Sequence, residues 1–355
     1  MEAIEILQKA VERDASDILI ITGAPVAYKL KGEIVRDDTE RLMPESIFKL
    51  VEGIYALAGN RDMTRLLETG DDDFSFSVAR LSRFRVNAFK QRGSLASVIR
   101  VVSFDMPSFK DLGIPENVMS FADVNKGMVL VTGPAGSGKS TTLACLINEM
   151  NHKRSNHIIT IEDPIEFLHR HDKSMVTQRE LSSDTTSYNA ALRSVLRQAP
   201  DVILLGEMRD YETIRTAITA AETGHLLIST LHTIGASNTI DRIIDSFPAG
   251  QHEQIRTQLS MVLQGVVSQQ LVPAKGGGVI PAFEVMKVNN AISNLIRESK
   301  AHQIDSVIFS SASEGMISMD TYLLNMVRDG RITEETAISY TANREQMAKR
   351  IQALK

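Results

Sequence analysis

The spacing of apolar residues divides the chain into two stretches of different character. In the first hundred residues it predicts helices over 3–13 and 44–57. Six short strands are predicted at 18–22, 26–30, 32–35, 74–78, 82–89 and 95–102, with turns at 30–32 and 91–93. This order of elements predicts a small mixed α/β domain of about one hundred residues.

From residue 127 onward, apolar strands alternate with helical spacing. Strands are predicted at 128–132, 157–162, 202–206 and 226–230, and helices at 140–150, 187–198, 211–222 and 234–245. The alternation favours a mostly parallel sheet with helices on both faces and a helical tail after residue 292. Two prolines and a glycine at 107–115 indicate a linker. The predicted domains are therefore 1–106 and 121–355, joined by 107–120.

Composition narrows the class of protein. Of 355 residues, 43% are hydrophobic and 23% charged, which is ordinary for a globular chain, and the net charge of −5 argues against a surface that coats nucleic acid. The single cysteine, Cys145, cannot form an internal disulfide and favours a reducing compartment. Neither the charged N-terminus nor the Gln- and Ser-rich run 257–274 fits a membrane span, so a cytoplasmic protein is expected.

One stretch carries a phosphate-binding pattern. The pattern G-x-x-x-x-G-K-[ST] fits Gly133-Pro134-Ala135-Gly136-Ser137-Gly138-Lys139-Ser140-Thr141 at every fixed position, and it lies between a predicted strand and a predicted helix. Glycines let backbone N–H groups turn toward an anion, Lys139 can reach the β- and γ-phosphates, and Ser140 can bind Mg²⁺. The sequence therefore predicts a P-loop that binds ATP with Mg²⁺.

Carboxylates follow two further predicted strands. Glu207 ends the apolar run 202–206, so it should lie at the edge of the sheet that holds the P-loop and hold Mg²⁺ through water or orient the attacking water. Glu162 and Glu166 belong to a second cluster, which would flank the γ-phosphate if its strand is a neighbour of the P-loop strand. A solvated acidic turn is the alternative for this cluster.

Histidines and arginines complete the candidate chemistry. His225 and His232 flank the strand 226–230, about 20 Å apart, so they cannot share one metal ion. His232, at the carboxyl end, can contact the γ-phosphate, whereas His225 is expected to be structural. Arginines gather on the predicted N-terminal strands and one turn, at Arg83, Arg85, Arg92 and Arg100. A solvated sheet face explains them, but guanidinium groups over a nucleotide would stabilise phosphoryl transfer.

Five segments in this order, GPAGSGKST, TIEDPIEF, DVILLGEMRD, TGHLLISTLHT and AISNLIRES, resemble the secretion-ATPase superfamily, and most closely its type IV pilus retraction ATPases. The resemblance implies a PAS-like N-terminal domain joined to a RecA-like ATPase domain, assembled as a homohexamer. It implies that Glu166 is the general base and Glu207 the Walker B glutamate, and that Arg85 and Arg100 approach the phosphates.

The same resemblance implies a motor for pilus retraction and twitching motility. Its partners would be a pilus platform protein at the cytoplasmic face of the inner membrane and, in some systems, a second retraction ATPase. Assembly motors carry an additional N-terminal domain and usually a tetracysteine zinc site. This chain instead resembles a motor that starts directly at the PAS-like region, and its single cysteine is Cys145. The segment 291–298 resembles the retraction signature AIRNLIRE but has Ser293 in place of Arg.

Other functions share parts of this pattern. A pilus-assembly or type II secretion ATPase would have the same core, as would a hexameric nucleic-acid translocase, against which the acidic net charge argues. A catalytically silent motor subunit would have a broken motif, whereas Lys139, Glu166, Glu207 and His232 are all present. The sequence therefore favours an active ATPase motor.

Overall fold

The structure, a computed structural model, describes residues 2–38, 40–102, 104 and 106–354. The chain divides into two compact units, the first comprising Met1–Asp105 with Ile165–Leu168 and the second Met106–Pro164 with His169–Lys355. Both are α/β units, and the predicted fold class is confirmed. The stretch predicted as a linker, 107–120, is grouped with the second unit and contains the short helix α4 (Glu116–Met119).

The first unit is built on a six-stranded antiparallel sheet in the order β3-β2-β1-β6-β5-β4. Its strands are β1 (Asp17–Ile20), β2 (Ala27–Leu30), β3 (Glu33–Arg36), β4 (Asp71–Val78), β5 (Ser82–Gln91) and β6 (Ser94–Val102). Its helices are α1 (Ala3–Glu12), α2 (Pro44–Leu57) and α3 (Thr64–Thr69). All six strands predicted here are present.

Local sequence explains how this unit forms. On α1, Ile6, Leu7 and Ala10 recur at helical spacing and are buried. On β5 the buried residues alternate with polar ones, so one face packs into the core and the other carries Arg85. Arg92 and Gly93, both with positive φ, form the predicted tight turn from β5 to β6, as a two-residue hairpin loop requires.

The second unit is built on a seven-stranded sheet in the order β13-β12-β7-β11-β10-β8-β9. Its strands are β7 (Gly127–Thr132), β8 (His157–Glu162), β9 (Met175–Glu180), β10 (Val202–Leu205), β11 (Leu226–Leu231), β12 (Leu263–Pro273) and β13 (Val279–Lys287). All neighbours are parallel except β12 and β13. The predicted mostly parallel sheet is confirmed.

Ten helices of the second unit follow α4 in the described part of the chain. They are α5 (Lys139–Lys153), α6 (Tyr188–Val195), α7 (Tyr211–Glu222), α8 (Ala236–Asp245), α9 (His252–Val262), α10 (Asn290–Arg297), α11 (Ile304–Ser310), α12 (Met319–Arg328), α13 (Glu334–Tyr340) and α14 (Arg344–Gln352). Within residues 2–354 as far as they are described, no helix is long and apolar enough to cross a membrane.

Three strands of this sheet, β9, β12 and β13, have no counterpart in the sequence prediction. β12 has no continuous apolar pattern because it buries polar residues, Ser268, Gln269 and Gln270, in the middle of its run. Its pairing with β7 also shifts register between Leu263 and Gly265. A side chain at Gly265 would begin 2.2 Å from the Phe121 ring, so only glycine fits this bulge.

His169 gives this unit a predictable pH dependence. Burial lowers the pKa of its imidazole to about 4, whereas the unfolded chain has a value near 6.5. Because the unfolded state alone takes up a proton between these values, the free energy of unfolding should fall as the pH decreases, by about 2 kcal/mol between pH 7 and pH 5. Chemical denaturation at both pH values measures this, and His169→Gln should remove this part of the dependence. Equal slopes in the two proteins would contradict it.

Candidate active site

The P-loop connects the end of β7 to the start of α5. Three of its glycines, Gly133, Gly136 and Gly138, have positive φ values of 142°, 74° and 86°. A Cβ on Gly133 would lie 2.1 Å from the carbonyl oxygen of Gln269, so no side chain can be accommodated there. The loop thus turns tightly against β12 and leads its backbone to the N-terminus of a 15-residue helix.

Lys139 is the first residue of α5 and is only 8% exposed. Its Nζ donates hydrogen bonds of 2.8 Å to the carbonyl oxygens of Gly133 and Pro134. Within the described residues, the hydroxyl oxygens of Ser137 and Thr132 are buried with no hydrogen-bond partner. A held ammonium group and two unsatisfied hydroxyls make this loop suited to a polar ligand.

Strand order brings two predicted residues beside the loop. β11 is the immediate neighbour of β7, and β10 is the next strand along. His232 directly follows β11, Glu207 follows β10 by two residues, and His232 Nε2 lies 3.4 Å from Glu207 Oε2. The other oxygen of Glu207 accepts a short hydrogen bond from Arg209. The carboxylate is therefore held between two basic side chains at the carboxyl edge of the sheet.

The strand that carries the second carboxylate cluster is not a neighbour of the P-loop strand. β8, which ends at Glu162, is separated from the P-loop strand by β11 and β10, a lateral distance of about 14 Å. The condition under which this cluster would flank the γ-phosphate, that its strand is a neighbour of the P-loop strand, is therefore not met. Glu162 accepts hydrogen bonds from Thr160 Oγ1 and Gln178 Nε2. Glu166 is exposed and lies in the segment grouped with the first unit.

The predicted arginines lie on the first unit, and two of them face each other. Arg85 of β5 and Arg100 of β6 are direct cross-strand partners, and both are exposed. Arg100 Nε donates a 2.9 Å hydrogen bond to Asp17, which lies opposite it on β1. The guanidinium groups of Arg85 and Arg100 thus lie on the same sheet face, where Asp17 pairs with Arg100. Their role toward a nucleotide stays a prediction.

Three residues at the site were not predicted. Arg209 pairs with Glu207, and this contact raises the pKa of the guanidinium. The Tyr188 hydroxyl reaches Gly206, where a Cβ would lie 2.9 Å from it, and burial together with nearby Glu207 raises its pKa, so it stays a protonated donor. Arg209 could have been found from its place two residues after Glu207. Tyr188 and Gln269 give no local signal.

Gln269 supports the loop through its side chain as well. Thr142 Oγ1 donates a 2.7 Å hydrogen bond to Gln269 Oε1, and both residues are buried. Thr142→Val should therefore lower the free energy of unfolding by about 1–3 kcal/mol, because it leaves a buried amide oxygen without a partner. Thermal and chemical denaturation measure the loss. The double variant Thr142→Val, Gln269→Leu should recover part of it, and a single variant as stable as the wild type would contradict the assignment.

The profile of the family described as Type II/IV secretion system protein matches residues 3–279. The chain belongs to this family. The type IV pilus retraction ATPase PilT of Pseudomonas aeruginosa is 44% identical to this chain over 337 residues, which cover 95% of this chain and 97% of that one.

Two more relatives are similar to this chain over most of its length. A twitching motility protein of Neisseria gonorrhoeae is 44% identical over 321 residues, covering 90% of this chain and 85% of that protein. The type IV pilus ATPase PilU of Pseudomonas aeruginosa is 38% identical over 341 residues, covering 96% and 88%. The similarity to these relatives therefore covers nearly the whole chain.

Solved structures of the family share the fold. The crystal structure of the pilus retraction motor PilT with bound ADP superimposes with a TM-score of 0.88 at 45% identity, covering 98% of this chain and 99% of that one. The Legionella pneumophila ATPase DotB gives 0.79 at 26% identity, with 95% of each chain covered. This chain is thus similar to PilT in both sequence and structure.

Proposed function

We propose that this chain is an ATP-hydrolysing motor that powers type IV pilus retraction, and hence twitching motility, as a homohexamer. The observation that carries the catalytic part is the contact between Glu207 and His232 at the strand edge beside the P-loop. Similarity to PilT over almost the full length of both chains supports the direction of the motor. Pilus assembly and type II secretion are the alternative uses of the same machinery.

ATP is the substrate in this proposal, bound by the backbone of residues 133–141. Lys139 supplies the cation for the β- and γ-phosphates, and Ser140 in the first turn of α5 supplies a hydroxyl for Mg²⁺. Glu207 would hold the same ion through water. These hard oxygen donors fit Mg²⁺, which takes the rest of its ligands from phosphates and water and neutralises phosphate charge when bound. The hydroxyls of Ser137 and Thr132, which have no hydrogen-bond partner among the described residues, also suit a nucleotide bound by this loop.

Glu166 is the proposed general base, with Glu162 as the alternative. Glu162 already accepts two hydrogen bonds from its own sheet and ends a strand three positions from β7. Glu166 follows that strand by four residues and is exposed, so the sheet does not fix the position of its side chain. These differences support Glu166 for activating water.

Arg85 and Arg100 are proposed to act when the N-terminal unit closes over the nucleotide, with 107–115 as the hinge. Closure would exchange the Asp17 partner of Arg100 for a phosphate and displace the adjacent subunit of the ring. The double variant Arg85→Ala, Arg100→Ala should lower turnover at least about 10-fold while hexamers persist. Turnover assays and light scattering with ATP and Mg²⁺ test this. Full activity, or a monomer at micromolar concentration, would count against it.

The proposed partners belong to the pilus machine. The motor would dock at the cytoplasmic face of the inner membrane on a platform protein, and a second ATPase similar to the type IV pilus ATPase PilU would share the task. The segment that resembles the retraction signature forms α10, which buries Ile292 and Ile296 and leaves Asn294 and Arg297 exposed. This exposed side is the proposed contact surface. Nucleic acid is not an expected partner, and no part of the motor is expected to insert into the membrane.

Deletion of the gene in its host distinguishes the two directions. Excess surface pili with lost twitching would support retraction, whereas absent pili would identify an assembly motor. Complementation with the wild-type gene should restore both phenotypes, and complementation with a Lys139→Ala variant should restore neither. Unchanged pili and motility would reject both directions.

A further inference from the structure

We propose that Glu284 is a positioning residue that sets His232 against Glu207 by anchoring the start of α8 to the sheet. The inference rests on the proposed function, since it concerns the same reaction. Glu284 lies on β13, one of the strands without a sequence prediction, and is 7% exposed. It is not part of the nucleotide loop. Its effect on the reaction would pass through the start of α8.

The contacts of Glu284 join two helices. One carboxylate oxygen accepts a 2.8 Å hydrogen bond from the backbone N–H of Ala236, the first residue of α8. The other oxygen accepts a 3.3 Å hydrogen bond from the N–H of Met319, the first residue of α12. A negative charge is favourable at each of these positive helix ends. One side chain therefore fixes the start of α8 relative to the start of α12.

The start of α8 has no cap of its own. Its N-cap residue is Gly235, which has no side chain to accept from the first turn. The cap is supplied from the sheet instead, because Ser268 Oγ accepts a 2.9 Å hydrogen bond from Gly235 N–H and pairs with Glu284 across β12 and β13. Two neighbouring side chains of these strands thus hold two successive N–H groups.

The N-cap residue of this helix, Gly235, lies three residues after His232. Thr239 Oγ1 donates to the carbonyl oxygen of Gly235 and lies 2.7 Å from Thr233 Oγ1, which joins the intervening loop to the first turn of α8. His232 is then fixed on one side by β11 and on the other by α8. A shift of the α8 start would move His232 relative to Glu207, 3.4 Å away.

The chemistry of the side chain makes the inference testable. A carboxylate can accept at both oxygens, whereas an amide of the same shape accepts at only one and presents N–H groups at the other. Glu284→Gln must therefore leave one of the two helix N–H groups facing a donor. Burial raises the pKa of Glu284, and the two backbone hydrogen bonds oppose this shift by favouring the charged form.

The first measurement is ATP turnover. Glu284→Gln should lower kcat about 10-fold or more with KM for ATP changed less than about 2-fold, because misplacing a catalytic group slows the chemical step. In a His232→Ala background the same substitution should cause less than about a 2-fold further loss, since both changes act on one contact. Multiplicative losses in the double variant, or an unchanged kcat in the single variant, would overturn the inference. Glu284→Asp, which keeps the charge and both acceptors, should recover part of the rate.

Two serine variants serve as matched partners. Ser268→Ala loosens α8 alone and should lower kcat in the same direction with the same dependence on His232, which tests the inference even if Glu284→Gln fails to fold. Ser318→Ala removes the N-cap of α12, whose hydroxyl accepts from Thr321 N–H, and should leave kcat unchanged. An equal loss in Ser318→Ala would indicate general loosening and overturn the assignment.

Hydrogen exchange separates this inference from the proposed function. Amide exchange over residues 232–238 should be at least about 10-fold faster in Glu284→Gln and Ser268→Ala than in the wild type, and this readout needs no enzymatic activity. A wild-type protein that does not hydrolyse ATP would reject the proposed function, while exchange would still report on the anchor. Unchanged exchange over this segment would overturn the role of Glu284 alone.

Discussion

Lys139→Ala should abolish ATP hydrolysis, lowering kcat at least about 10³-fold, without unfolding the protein. The Nζ group, held by the carbonyl oxygens of Gly133 and Pro134, is the cation that the loop offers to a phosphate. Removing it also removes a buried charge, and alanine is favourable in a helix, so the melting temperature should change by no more than a few degrees. Phosphate release and thermal denaturation measure the two effects.

Lys153 at the other end of α5 provides the matched control. It pairs with Glu149 one helical turn away and is solvent-exposed, so Lys153→Ala should leave hydrolysis within about 2-fold of the wild type. Turnover near wild type in Lys139→Ala would reject the P-loop assignment. A large fall in melting temperature would mean that the loop, rather than the catalytic cation, had been lost.

Glu207→Gln should lower hydrolysis about 10²-fold or more while leaving nucleotide affinity within a few-fold. The variant loses the charge that pairs with Arg209 and His232 and that would hold Mg²⁺ through water. Nucleotide binding rests on the P-loop, which Glu207 does not build. Affinity measured by titration with a fluorescent ATP analogue, set against turnover, separates the two. Loss of affinity in proportion to turnover would contradict this division of roles.

Parallel variants of Glu166 and Glu162 identify the general base. Glu166→Gln should reduce turnover to a similar extent with binding preserved, whereas Glu162→Gln should have a smaller effect because Glu162 is held by Thr160 and Gln178 within its own sheet. The reverse order of effects would make Glu162 the base. Both comparisons require equal melting temperatures in the two variants.

The parts of the site that sequence predicts are those with local signals. The P-loop, β10 with Glu207, and β11 with His232 each combine an apolar run with a polar residue at its end, and the parallel sheet brings the ends of β7, β11 and β10 to one edge. The turn predicted at 91–93 likewise rests on adjacent residues, and the structure has it at Arg92 and Gly93. In each case a few neighbouring residues determine the local conformation.

The parts that sequence does not predict depend on distant partners. Buried Gln269 and Ser268 disguise β12, because their polar atoms are satisfied by Thr142 and Gly235, which are far away along the chain. The lateral position of β8 follows from the order of strands, which no single strand reveals. The residues on either side of Glu284 in sequence have the pattern of an ordinary apolar strand. Its role depends on two helix ends that lie 48 and 35 residues away in sequence.

The bulge at Gly265 constrains the chain length of β12. Downstream of it, adjacent Ser268 and Gln269 point to opposite faces, one toward α8 and the other toward the P-loop. Deleting one residue between the bulge and Ser268 would exchange these two side chains and disable both supports at once. The glycine loop 276–278, where an added Cβ would meet nothing within 4 Å, has no such restriction. An epitope tag or fluorescent reporter for following this protein in cells therefore belongs in that loop and nowhere along the strand before it.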